Sequence, residues 1–157
     1  MSAKGADVKL KNQMKKTQIL FMVVTFICLQ AYSLPKSFVR EASGGNWSSI
    51  LIREDLTYDA AFNEVLDVVA KIFEMDMISK EAGYGRTNWL YTWNTKGKFT
   101  KKYRTRVIFK FSADRSKVDI KTEAEFGGEP HWIRGFDTRL LHTIKQDISG
   151  IIGRTTL

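Results

Sequence analysis

The chain reads as an α+β domain, an antiparallel sheet meander with two helices packed on one face, in the order β-α-β-β-β-β-α. Three observations predict this. An apolar stripe of helical spacing runs early, over residues 58–73. Two mid-chain segments, 103–112 and 117–126, alternate apolar and charged residues with a period of two. A second segment of helical spacing closes the chain from residue 138.

The elements follow in order. Residues 14–33, "MKKTQILFMVVTFICLQAYS", open with Lys15 and Lys16 and continue through an apolar run broken only by Thr25. They end in Ala31-Tyr32-Ser33, which puts small residues at −3 and −1 of a cut before Leu34. This is the layout of a secretory signal peptide, with residues 1–13 as an upstream extension and Met14 as a second start. The run falls short of the about 20 apolar residues needed to cross a hydrocarbon core of roughly 30 Å. The alternatives are an inner-membrane anchor over residues 18–33 and a buried core helix. Cys28 is the candidate for lipid modification. Bulky Phe26 and Ile27 precede it, so the simpler reading is one more apolar residue of the run.

The chain divides accordingly into the extension and signal peptide at 1–33, an extended arm and linker at 34–46, and a single α+β domain at 47–157. Residues 1–33 hold five of the 25 Lys and Arg and one of the 17 Asp and Glu, so the remainder carries a net +4 rather than +8. The whole-chain charge is therefore no argument for nucleic acid. Cys28 is the single cysteine, so a cleaved domain has no disulfide and depends on packing.

Within the domain, residues 47–54 ("WSSILIRE") predict a first short strand. Thr57 is placed to cap a helix, with Asp59 in its first turn and an apolar stripe of Tyr58, Ala61, Phe62, Val65, Val68, Val69, Ile72 and Phe73. "MDMIS" then alternates as a strand, Gly83-Tyr84-Gly85 breaks the chain, and "TNWLYTWN" predicts a strand with Trp89, Tyr91 and Trp93 on one face. "TKGKFTKK" predicts a basic turn carrying Lys96, Lys98, Lys101 and Lys102. The two alternating strands after it pair in a single register that suits both faces. If 113–116 is the loop, Lys110 faces Asp119, Arg106 faces Glu123 and Arg104 faces Glu125. On the other side, Phe111 faces Val118, Phe109 faces Ile120 and Tyr103 faces Phe126. "FGGEPHW" is expected to end the sheet, and Asp137 to cap the last helix.

Chemistry-bearing residues are sparse. The histidines are His131 and His142, with no metal-ligand spacing, so no metal and no cofactor are expected. The serines lack the glycine context of a nucleophile elbow. Glu123 and Glu125 share a strand face as a carboxylate pair could, but the opposing arginines account for both. No catalytic residue is assigned. The basic run near residues 96–106 suits anionic lipid headgroups better than nucleic acid, given an exported chain. Trp89, Tyr91, Trp93 and Trp132 exceed what a small core needs. They are the candidate partner or ligand groove, placed between the sheet and the terminal helix.

"AGYGRTNWLYTW", "YRTRVIFKF" and "KVDIKTEAEF", followed by a terminal helix, resemble the helix-grip domain of the BamC (NlpB)-like outer-membrane assembly lipoproteins. The residues that carry the resemblance are Gly85, Thr87, Trp89, Tyr103 and Arg106, within about residues 50–153. The resemblance implies a helix-grip-like fold and a periplasmic or outer-membrane-associated protein that works by contact. The expectation is thus an exported, non-catalytic envelope module that binds a protein partner. The alternative is a carrier of a small apolar ligand or lipid in the groove.

Overall fold

Local chemistry starts each helix where the sequence places it. The computed structural model describes residues 34–41, 46–93 and 99–154, with the backbone alone at Trp93, Phe99 and Thr100. Thr57 caps helix α1 (Tyr58–Ala70), its hydroxyl accepting the Ala60 N–H at 3.3 Å, with Asp59 in the first turn. Ala61, Phe62, Val65, Val68 and Val69 are buried, as is Phe73 just beyond; Ile72, two residues past the helix end, is exposed. Asp137 caps helix α2 (Thr138–Ile152), its carboxylate accepting the Leu140 N–H at 2.9 Å.

The spine of the sheet is a long hairpin. In chain order the strands are β1 (Phe38–Arg40), β2 (Ser48–Leu51), β3 (Met75–Ser79), β4 (Tyr84–Thr87), β5 (Leu90–Trp93), β6 (Phe99–Phe111), β7 (Lys117–Phe126) and β8 (Ile133–Asp137). Strands β6 and β7 pair in the expected register on both faces, with Arg104 opposite Glu125, Arg106 opposite Glu123 and Phe109 opposite Ile120. Slipping by one residue would turn the arginines toward the helices, so burial itself fixes the register. Four short strands share the hairpin's flanks: β4 and β5 pair with β6, and β2 and β8 pair with β7. Strand β3 extends the sheet beyond β4, and β1 beyond β8, to make an open, eight-stranded antiparallel sheet.

Both helices pack on one face. Val107, Phe109, Val118 and Ile120 meet Phe62, Val65, Ile144 and Ile148 in a single core. Phe62 stands edge-on to Phe109 at 5.8 Å, and Phe109 edge-on to Phe111 at 6.3 Å. The architecture is the α+β, helices-on-one-face class that the pattern predicts.

Three strands depart from the expected order. Strand β4 runs through Gly85, where a break was expected; only Gly83, at φ 64°, sits in the turn. Gly85 is opposite Phe109, and a Cβ there would stand 2.2 Å from the ring. The glycine is thus a seat for an aromatic ring, and a glycine pair alone does not distinguish seat from break. Strand β8 follows the "FGGEPHW" turn that was expected to end the sheet. Its Gly135 admits β1 closely, since a Cβ would lie 2.1 Å from the Val39 carbonyl oxygen. Strand β1 lies in the expected arm, in a compact unit that begins at Pro35. The expected signal peptide, with Met14 and Cys28, and the linker glycines Gly44 and Gly45 lie outside the described residues. No described helix is long and apolar enough to cross a membrane.

Candidate interaction face

Among the described residues one face of the sheet carries no helix, and the unusual chemistry gathers there. Along β6 and β7 the residues that alternate with the core set include Arg104, Arg106, Lys121, Glu123 and Glu125. Arg104 places Nε and a terminal nitrogen on Glu125 Oε2 at 2.7 and 2.6 Å. Arg106 does the same to Glu123 Oε2 at 2.7 and 2.5 Å, and Lys121 Nζ reaches Glu123 Oε1 at 2.7 Å. Burial alone would raise the Glu123 carboxyl. The hydrogen bonds from Lys121 and Arg106 outweigh it and hold the group below its ordinary value, charged.

Indole rings cover these pairs. The Arg104 guanidinium carbon lies 4.2 Å from the Trp132 ring centre and 4.7 Å from that of Trp89; Arg106 lies 4.4 Å from Trp89. The result is a stack in the order Trp132, Arg104, Trp89, Arg106. Tyr91 stands 6.0 Å from Arg104 and accepts a hydrogen bond from it at 3.3 Å. A further ring, Trp47, lies 5.1 Å from the Lys121 ammonium. Each such contact stabilises by about 0.5–2 kcal/mol as water is excluded.

Local geometry delivers the two rings. Strands β4 and β5 share one edge of β6, and the chain steps between them at Asn88, whose N–H bonds the Glu74 carbonyl at 2.8 Å. At this gap the Thr87 hydroxyl accepts the Val107 N–H at 3.0 Å, replacing a ladder bond, and Trp89 crosses over the arginines. On the opposite flank the turn after β7, closed by His131 N–H to the Gly128 carbonyl at 2.8 Å, returns Trp132 over Arg104. The Trp132 Nε1–H is buried and has no acceptor among the described residues. Exposed apolar side chains border the same face: Leu51 at 55%, Met77 at 48% and Trp47 at 42%.

The structure therefore brings Trp89, Tyr91 and Trp132 together, but not where expected. They lie against Arg104 on the helix-free face, and the groove between sheet and terminal helix does not hold them. Its sheet side carries Val107, Phe109 and Ile120 instead. The Trp93 side chain, Lys96 and Lys98 lie outside the described residues. Lys101 and Lys102 belong to β6 rather than to a basic turn, because the strand starts at Phe99. His131 and His142 are exposed, and among the described residues no three His, Cys, Asp or Glu side chains group as metal ligands.

A second polar cluster lies at the core edge. Asp137 Oδ2 accepts from Ser37 Oγ at 2.9 Å and from the Tyr103 hydroxyl, while Oδ1 caps α2. Thr122 Oγ1 donates to the Asp137 carbonyl at 2.9 Å. Burial first, and then the bond to Asp137, push the Tyr103 phenol far above its ordinary value. Both carboxylate oxygens are engaged and Tyr103 is locked neutral, so the cluster is a latch joining β1, β6 and α2. No family model matches the chain, and no curated protein matches it.

Proposed function

We propose that the chain is an exported, non-catalytic module of the cell envelope that holds a protein partner against the helix-free face of its sheet. The observation that carries this reading is the stack of Trp132, Arg104, Trp89 and Arg106. Large aromatic side chains and arginine are the residue types that dominate the energetics of protein interfaces. Here each arginine is fixed by two nitrogens on one carboxylate oxygen and the indoles stack on the arginines, so little side-chain entropy is lost when a partner covers them. The apolar border of Leu51, Met77 and Trp47 enlarges the patch. The signal-like segment at 14–33 supports export. The similarity of Gly85, Thr87, Trp89, Tyr103 and Arg106 to the BamC-like pattern supports an assembly role by contact.

Photo-crosslinking in the native host tests the reading. A photoreactive residue at Leu51 or Met77, both on the helix-free face, should give one discrete adduct in the envelope fraction. Positions Asn63 and Gln146, exposed on the two helices, should give none. Adducts from the helix positions only, or an intact chain in the cytosol, would sink the reading.

A further inference from the structure

We propose that the corner formed by Trp132 and Arg134 receives a carboxylate side chain from an acidic, extended segment of the partner. This rests on the proposed function and names the partner chemistry of the same face. Arg134, the second residue of β8, stands opposite Glu125 on the helix-free face, the face on which the Trp132 ring covers Arg104. The Arg134 side chain is 85% exposed, and its contact with Glu125 Oε1 is long, at 3.6 Å. Glu125 is already engaged through Oε2 by Arg104. The Arg134 guanidinium thus keeps most of its five donors for a planar acceptor. On the same face, the Trp132 Nε1–H is a buried donor with no acceptor among the described residues. A buried donor without a partner is costly, and an incoming carboxylate oxygen would relieve that cost as the ring turns its N–H outward.

The charge pattern extends the site. Lys110 is exposed on the same face and has no ion pair among the described residues. It stands six residues along β6 from Arg104, a span of about 20 Å. An extended segment of about six residues, acidic at both ends, reaches from Arg134 to Lys110. Single-stranded nucleic acid fits less well: Trp89 already contacts two guanidinium groups and Trp132 one, so neither is an open platform for bases. Strand addition at the two outermost strands also fits less well. Strand β1 is three residues long, and β3 shifts register between Met75 and Met77, both devices that discourage edge pairing.

The test uses the full chain and a fluorescein-labelled, C-terminally amidated octaglutamate, followed by anisotropy at low salt. Octalysine, an eight-residue oligothymidylate and phosphatidylglycerol vesicles serve as competitors. Octaglutamate should bind saturably; Arg134→Ala should weaken it about tenfold, the loss expected for one charge-assisted bidentate contact. Arg134→Lys should recover only part of this, since lysine keeps the charge without the fork. Trp132→Phe, which keeps a ring on Arg104 but lacks the N–H, should weaken binding several-fold, and Arg139→Ala on α2 should change nothing. The proposal is overturned if Arg134→Ala binds within twofold of the parent, or if the oligothymidylate or vesicles outcompete octaglutamate at the same arginine. If octaglutamate fails to bind while Leu51 still crosslinks a discrete envelope partner, the acidic segment falls and the binding face stands. Loss of both removes both.

Discussion

Replacing Gly85 with alanine tests how the sheet seats its core and, through it, the aromatic stack. The added Cβ would lie 2.2 Å from Phe109 Cζ and 2.4 Å from Cε1. Ordinary carbon contacts are about 3.5–4.0 Å, so ring or strand must move by more than 1 Å. The ring has little room to retreat, being fully buried with Phe62 at 5.8 Å and Phe111 at 6.3 Å. Overpacking of this kind costs about 1–3 kcal/mol. The lost unfolded-state entropy of glycine returns about 0.4–1 kcal/mol. The net expectation is a loss of about 1–2 kcal/mol, or a fall in Tm of about 4–8 °C. Urea denaturation and calorimetry measure this. Phe109→Leu, which removes the clashing ring, should relieve about 1 kcal/mol of the penalty in the double variant. Strand β4 leads directly to Trp89, so the tryptophan emission should also shift in Gly85→Ala alone. A Gly85→Ala protein as stable as its parent, or a penalty unchanged by Phe109→Leu, would refute the seating argument.

Three further outcomes follow from the same geometry. Tyr103 has its phenol raised above its ordinary value of about 10 by burial and Asp137, so its contribution is intact below pH 10 and lost as pH rises beyond that. Tyr103→Phe should cost about 1 kcal/mol at pH 7 yet flatten the alkaline loss in urea titrations; parallel pH profiles would contradict this. Asp114, which accepts from Ser112 and Ser116 in the β6–β7 turn, is held down to about 2. Its contribution is complete above the ordinary carboxylate value near 4 and fades as pH falls through about 2, so a carbon-detected NMR midpoint near 4 would contradict the turn geometry. Exchanging Arg106 and Glu123 tests the register, because each single reversal should cost about 1–2 kcal/mol and the double exchange should recover a substantial part. Additive losses would argue that the two side chains do not meet.

The fold class and the central register were legible because both faces of the hairpin constrain it at once. Charges pair outside and apolar residues pair inside, and only one alignment satisfies Arg104, Arg106, Phe109 and Phe111 together. The caps Thr57 and Asp137 were legible for a related reason, a hydroxyl or carboxylate just before an apolar stripe. Strands β1, β4 and β8 were not. They are three to five residues long, and two of them turn on close backbone approach at Gly85 and Gly135, which leaves no periodic signal. The aromatic surplus was legible as a surplus, but its location was not. Trp89 and Trp132 both lie outside the strands, and their seat over Arg104 depends on the step at Asn88 and the turn at 127–131. Alternation assigns a face only to residues within a strand, so the terminal-helix groove was the wrong inference from a sound count.

The most direct test of the helix-free face is its indole N–H signals in the NMR spectrum of the full chain, followed as octaglutamate is added. The Trp132 signal should shift most, with Trp89 following. Movement confined to residues of α1 and α2, with both indoles still, would contradict it.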